Sequence, residues 1–165
     1  MDRVLEIEFL ERIEEHKGIL FKIAKMYMDC YDDQKDLFQE ITYQAWKAYP
    51  SFQGKSQFSS WLYRVALNTA IVFLKSEKKR SGFIQNKAPE QMPQVSQEDY
   101  NDEDDQNLNK MYNAIQQLPP IDKALIFYYL EGTNGKEMAA QLGISEANAR
   151  VKLNRAKEKL KKLLQ

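Results

Sequence analysis

The chain has 165 residues, of which 43% are hydrophobic and 29% charged, a composition that excludes a protein disordered throughout. No apolar run approaches the roughly 20 residues of a membrane span, and Cys30, the single cysteine, excludes an intrachain disulfide and a thiolate metal cluster. The formal net charge of zero divides into −5, +6, −6 and +5 over residues 1–46, 47–80, 81–109 and 110–165, so either basic block can attract a polyanion. We therefore expect a cytoplasmic protein, without a signal peptide and not itself in a membrane.

The first 80 residues carry apolar side chains at steps of three and four, which predicts helices and no strand. The last of these helices is long and ends in a basic segment, and its Phe58 and Trp61 fall on the apolar stripe. Aromatic residues at that spacing are more often core than base-stacking groups, and Trp61 is predicted to be core. The helical runs occupy residues 4–13, 19–27, 37–49 and 58–80. The pattern predicts a compact four-helix domain over residues 1–81.

A polar and acidic stretch follows at residues 82–107. It contains Pro89, Pro93 and the acidic run 98–105, with too few apolar residues to offset the entropy of ordering. We interpret it as a flexible linker that lets the flanking domains reach separate sites on one large partner. A second interpretation is that its charge mimics nucleic acid and keeps the free protein off DNA.

Residues 108–165 predict a smaller unit of four helices. A helix at 108–117 ends at Leu118, and the two prolines that follow suit the start of a helix at 121–131. The last two helices lie within residues 135–164. The whole chain is thus predicted to be all-α, with two small helical domains joined by a flexible acidic linker.

The segment 135–154 predicts a helix-turn-helix. Gly143 permits a left-handed turn residue, and Ser145 can cap the second helix. Ala139 and Ala140 allow the two helices to approach closely. The second helix is apolar on one side and basic on the other, which suits the major groove of DNA.

Four strings together resemble one family. They are residues 36–40 (DLFQE), 58–70 (FSSWLYRVALNTA), the Leu118-Pro119 pair before the helix-turn-helix, and 154–157 (NRAK). In this order the strings closely resemble an extracytoplasmic-function sigma factor of bacterial RNA polymerase. The resemblance implies an alternative sigma factor that binds the polymerase core and directs initiation at promoters with −10 and −35 elements.

The resemblance also assigns roles to residues of the first domain. It implies that Asp36, Gln39 and Glu40 dock on the polymerase clamp, and that the loop 51–56 captures a base flipped from the −10 element. Asn68 is assigned to promoter bases, since an amide both donates and accepts. The remaining −10 residues would hold the loop or contact phosphate. They are Phe52, Gly54, Lys55, Arg64, Lys75, Lys78, Lys79 and Arg80.

In the second domain, the resemblance makes the last helix the reader of the −35 element. It implies contacts from Asn148, Arg150, Val151, Asn154 and Arg155, with Lys152 and Lys157 on phosphate. The segments 133–135 and 147–149 differ from the more usual family residues, which bears on base preference. Expected partners are the polymerase core (clamp and flap), promoter DNA and an anti-sigma factor, with no cofactor, metal, catalytic residue or small-molecule substrate.

Three alternatives stay open at this point. Residues 32–36 fit the D-D-x-x-D spacing that holds magnesium in isoprenoid synthases, although a second metal motif is not apparent. The chain could be a DNA-binding response or repressor protein whose first domain senses a signal or dimerises. It could also be an adaptor that binds polymerase without reading DNA.

Overall fold

The computed structural model describes residues 3–83 and 102–165, and the side chains of 3–77 and 103–165. These residues form seven α-helices and one short 3-10 turn at Tyr49–Ser51, with no strand among them. The all-α prediction is confirmed. The helices are α1 Arg3–Tyr27, α2 Tyr31–Ala48, α3 Phe58–Phe83, α4 Asp102–Gln116, α5 Pro120–Leu130, α6 Gly135–Leu142 and α7 Glu146–Leu163.

The helices α1–α3, called here the N-terminal helices, pack on one another in pairs. Leu20, Ile23, Leu37, Ile41 and Leu62 are fully buried between them. Burial of each such side chain contributes about 1.5–3 kcal/mol. The contact between these faces holds the loop 52–57 at the start of α3.

The prediction of four helices in this region was wrong, because α1 is one helix of 25 residues that includes both apolar runs. Gly18 lies between the two runs without interrupting the helix. A glycine inside a helix costs only about 1 kcal/mol relative to alanine, and the apolar residues on both sides bury against the same neighbours.

The helices α4–α7, called here the C-terminal helices, confirm the four helices predicted for this region. Helix α4 begins at Asp102 rather than at residue 108, within the segment predicted as linker. Its first four residues are all acidic. Negative charge at a helix N-terminus is stabilised by the macrodipole, so the acidic run favours a helix start here as well as solvation.

Candidate nucleic-acid interface

The helix-turn-helix has the capping geometry that the sequence predicts. Gly143 ends α6 in the left-handed conformation, with φ of 70°. Its neighbour Ile144 donates its backbone N–H to the oxygen of Ala139 at 3.1 Å, which closes the end of the helix. Ser145 then caps α7, and its hydroxyl accepts from the backbone N–H of Asn148 at 3.0 Å. These contacts fix the angle at which α7 leaves the turn.

Replacement of Gly143 by alanine is expected to lower the free energy of unfolding by about 1–2 kcal/mol, because an added Cβ opposes a positive φ. Gly18→Ala is the matched control, since Gly18 has a helical backbone and no atom within 4 Å of an added Cβ. That change should be neutral or stabilising by up to about 1 kcal/mol. Urea denaturation of both variants measures the difference, and equal effects would contradict the role of the turn.

Helix α7 separates an apolar face from a polar one. Ala149, Ala156 and Leu160 are buried against the other C-terminal helices. The opposite side exposes the apolar side chain of Val151 between basic and amide side chains. Such a combination can contact both base edges and phosphates. Its exposed residues are Asn148, Arg150, Val151, Asn154 and Arg155.

The two assisting lysines of α7 are half-buried and already have neighbours within the protein. The ammonium of Lys157 lies 3.9 Å from the centre of the Tyr129 ring. Lys152 lies near Asp122 of α5. Burial raises the pKa of the Asp122 carboxyl, and the positive charges of Lys152, Lys159 and Arg155 offset part of that increase. These two lysines are thus half-buried against the domain, whereas the side chains of Arg150 and Arg155 are exposed.

An aromatic cluster lies under the loop before α3. The Phe52 ring packs 5.2 Å from Trp61 and 5.8 Å from Phe58, and Tyr49 lies beside all three. Phe52, Phe58 and Trp61 are half-buried and pack against the core, so Trp61, which was predicted to be core, lies at its edge. This packing fixes the loop to the N-terminal helices.

Arg12 of α1 was missed by the sequence reasoning. Its guanidinium lies 5.7 Å from the Phe52 ring centre and 5.5 Å from that of Phe58, and it pairs with Glu8 at 3.1 Å. The i,i+4 spacing of Glu8 and Arg12 could have indicated the ion pair, but the contact with a loop 40 positions later has no local signal. Arg12 places a positive charge against the aromatic cluster.

The loop itself is open to solvent. Gly54 has a φ of 69° and no atom within 4 Å of an added Cβ, and Lys55 beside it is exposed. Tyr49, at the base of the loop, donates its hydroxyl to Glu8 Oε1 at 2.9 Å. Burial is the main reason that the pKa of the Tyr49 phenol is raised. The structure therefore places Gly54 and the exposed cation of Lys55 in the loop that the aromatic cluster fixes.

Arg64 and Asn68 are exposed and lie one turn apart on α3. Asn68 lines a groove of about 360 Å³ between α2 and α3, together with Glu40, the exposed Val72 and the half-buried Phe73. Lys75 is exposed about two turns after Asn68 on the same helix. The side chains of the remaining predicted phosphate contacts, Lys78, Lys79 and Arg80, lie outside the described residues.

The predicted docking residues lie on α2. Asp36 and Gln39 are exposed, whereas Glu40 is half-buried and accepts a hydrogen bond from Gln44 at 2.9 Å. Gln39 faces a second groove, of about 400 Å³ between α1 and α2, that also exposes Tyr43. Glu40 thus belongs to the groove of Asn68, and Gln39 belongs to the groove on the other side of the helix.

The acidic start of α2 has a structural explanation. Cys30, and not an aspartate, caps the helix, and its sulfur accepts from the Asp33 backbone N–H at 3.4 Å. Ligand atoms of Asp29, Cys30 and Asp33 lie within 4.8 Å of one another. Burial is the largest cause that raises the pKa of the Cys30 thiol, so the cap of α2 is a protonated thiol at neutral pH.

Within the described parts of the chain, no helix is both long and apolar enough to cross a membrane.

Two family models match the chain. The first, Sigma-70 region 2, matches residues 12–80, and the second, Sigma-70 region 4, matches residues 108–160. The first match falls within the N-terminal helices, and the second falls within the C-terminal helices.

Curated relatives carry the same family name. The ECF RNA polymerase sigma factor SigG of Mycobacterium tuberculosis is 46% identical over 73 residues, which are 44% of this chain and 20% of that protein. The chain thus aligns with one fifth of that relative's length. RNA polymerase sigma factor SigV of Bacillus subtilis is 26% identical over 145 residues, which cover 87% of this chain and 83% of that protein.

Two solved structures share the fold. The sigma factor RpoE in complex with the anti-sigma factor NepR from Bartonella quintana has a TM-score of 0.67 at 19% identity, covering 95% of this chain and 96% of that one. CnrH in complex with the cytosolic domain of CnrY has a TM-score of 0.60 at 20% identity, with coverages of 99% and 96%. At this identity the likeness concerns the fold alone.

Proposed function

The chain belongs to the sigma-70 family, in its extracytoplasmic-function group, and on that premise we propose that it is an alternative sigma factor. It would bind the RNA polymerase core and direct initiation at promoters that have its own −10 and −35 elements. The observation that carries this proposal is α7, the second helix of the capped helix-turn-helix, which exposes Arg150, Asn154 and Arg155 on one side.

In this proposal the chain recognises promoter DNA and captures the opened strand, and it catalyses no reaction. The domain of residues 1–81 would contact the −10 element, 82–107 would be the acidic linker, and the domain of 108–165 would read the −35 element. In the first domain, Asn68 has the exposure that a base-reading amide needs. Lys55, Arg64 and Lys75 are exposed cations suited to phosphate.

Docking on polymerase would use the α2 residues Asp36, Gln39 and Glu40 on the clamp, and the C-terminal helices on the flap. One attachment to the core makes the second promoter contact effectively intramolecular, so neither domain needs high affinity alone. One solved neighbour is in complex with the anti-sigma factor NepR, and the other with the cytosolic domain of CnrY. We extend that kind of partner to this chain, in the bacterial cytoplasm and at the nucleoid once in holoenzyme.

Run-off transcription with purified core enzyme and genomic fragments tests the proposal. Start-site-specific transcripts that depend on this chain are the expected result. No such transcript, together with no retention of the chain on core polymerase, would overturn the proposal. Tight binding to a duplex operator without core would favour the repressor interpretation instead.

The affinity of the holoenzyme for promoter DNA should fall with salt. If four of the exposed lysines and arginines neutralise phosphates, the logarithm of the affinity falls with the logarithm of salt concentration at a slope near −3.6. Replacing Lys55 and Arg64 by glutamine removes two of these contacts. The slope of this variant should therefore be less steep than that of the wild type by about 2. Fluorescence anisotropy at several salt concentrations measures both slopes, and equal slopes would contradict the phosphate contacts.

A further inference from the structure

Three polar residues of α1 lie against the aromatic cluster below the loop that precedes α3. Glu8, Arg12 and His16 recur every four residues, which places them on one face of the helix. Glu8 Oε1 accepts from the Tyr49 hydroxyl at 2.9 Å, and the His16 ring packs 5.0 Å from that of Phe58. Arg12 lies between these two contacts, so this face of α1 touches the cluster at three successive turns.

Arg12 contacts both ends of the loop 52–57. Its guanidinium carbon lies 5.9 Å from the centre of the Tyr49 ring and 5.7 Å from that of Phe52, where the chain enters the loop. The same carbon lies 5.5 Å from the centre of the Phe58 ring, where the chain leaves the loop and α3 begins. A cation near an aromatic face is attracted by the ring quadrupole, so one guanidinium is attracted to rings on both sides of the loop.

The two ends of the loop have their own backbone hydrogen bonds. Phe52 donates its N–H to the Tyr49 oxygen at 3.0 Å at one end, and Trp61 donates to the Gln57 oxygen at 3.1 Å at the other. Among the described residues, no backbone hydrogen bond joins one end to the other. The distance between the ends therefore depends on side-chain contacts, which are those of the aromatic rings and of Arg12.

Glu8 fixes the position of the Arg12 guanidinium. Glu8 Oε1 accepts from Arg12 Nη2 at 3.1 Å as well as from the Tyr49 hydroxyl. The His16 ring donates its Nδ1–H to the Arg12 backbone oxygen at 2.8 Å. The side chains of Arg12 and Glu8 are 36% and 47% exposed, so both lie at the edge of the cluster and outside the core of the N-terminal helices. Arg12 is thus placed to act on the loop.

The rings that Arg12 joins stand at the two ends of the proposed base-capture loop. The Phe52 and Phe58 rings lie 5.8 Å apart, with an angle of 81° between their planes. A base taken out of the duplex stacks on aromatic side chains and fits a pocket of defined shape. Such a pocket works only when its groups are held within about 0.5 Å of the productive geometry. Because Arg12 contacts both rings, it opposes a change in their separation.

We propose that Arg12 is a positioning residue of the base-capture loop. Its guanidinium, held by Glu8, joins the rings at the two ends of the loop and so sets their separation. The inference rests on the proposed function and adds a residue of α1, outside the loop, on which capture of an unstacked base depends.

Cleavage of the full-length chain by a lysine-specific protease tests whether Arg12 holds the loop. In Arg12→Gln, cleavage after Lys55 should become at least about fivefold faster, because cleavage follows the population of the opened loop. Cleavage after Lys136, in α6, should stay unchanged. Lys17→Gln is the matched control and should behave as the wild type, since Lys17 lies on the same helix and pairs with Glu14 at 2.6 Å. Equal rates after Lys55 with and without Arg12, or an equal increase at both lysines of Arg12→Gln, would overturn the inference.

Removal of single bases from the promoter tests the effect on capture, with holoenzyme made from core polymerase and the full-length chain. The lifetime of the open complex is measured on templates that each lack one base of the −10 element, on either strand in turn. With the wild-type chain, removal of the captured base should shorten the lifetime about tenfold or more. With Arg12→Gln the same removal should shorten it less than twofold, because the loop no longer holds the base. Arg12→Lys keeps a charge against the rings and should restore most of the wild-type difference.

The outcomes of the two experiments separate the inference from the proposed function. If Arg12→Gln showed the full wild-type effect of base removal, capture would be independent of Arg12 and the inference would be overturned. If no position were sensitive with the wild-type chain, base capture in the proposed function would be wrong. The cleavage rates after Lys55 would then still decide whether Arg12 positions the loop.

Discussion

Replacement of both Arg150 and Arg155 by alanine is expected to reduce transcription from the cognate promoter about 30-fold to 20,000-fold. Both side chains are exposed on α7, on the side opposite the buried Ala149 and Ala156. Loss of a base or phosphate contact costs about 1–3 kcal/mol, so two losses correspond to a decrease of this size. Run-off transcription with saturating core enzyme measures it, on templates with an intact and with a scrambled −35 element.

The matched control removes the same charge from the same helix. Lys161 and Lys162 lie in the last turn of α7 and are exposed, so their double replacement by alanine should change transcription by less than about threefold. The arginine double variant should also lose its preference for the intact −35 element. An equal decrease from both double variants would show a general effect of charge, and no decrease from either would favour the adaptor interpretation.

Local features of the second domain could be predicted because each depends on a few neighbouring residues. The turn at Gly143 and the cap at Ser145 are read from residue types whose backbone preferences are narrow. The cap of α2 shows the limit of that reasoning. The Cys30 sulfur holds the position that an oxygen-bearing side chain normally takes, and residue preferences at a helix start do not favour cysteine there.

The contact between the N-terminal and the C-terminal helices could not be predicted from the sequence. Tyr27 donates its hydroxyl to Pro120, 93 positions away, and Tyr63 donates to Glu131, 68 positions away. Periodicity identifies which face of a helix is apolar but not which helix covers it. The one available signal was the apolar run from Ala124 to Leu130, too continuous for a helix that buries a single stripe.

The same burial makes Phe127 the residue whose truncation should cost most stability. Its ring is 1% exposed and packs against Tyr63 at 5.1 Å and Tyr128 at 6.1 Å. Phe127→Ala removes this packing and leaves a cavity, which typically costs about 3–5 kcal/mol. The midpoint of thermal unfolding should fall by roughly 6–20 °C for a chain of this size.

Tyr129→Ala is the control, because the two aromatic residues lie on the same helix two positions apart. Tyr129 is 48% exposed, and its ring contacts Lys157 at 3.9 Å. An exposed cation–π contact contributes about 0.5–1 kcal/mol, so this variant should lose no more than that. Calorimetry of both variants at one pH and salt concentration separates the effects. Equal losses would mean that α5 is not buried against α1 and α3.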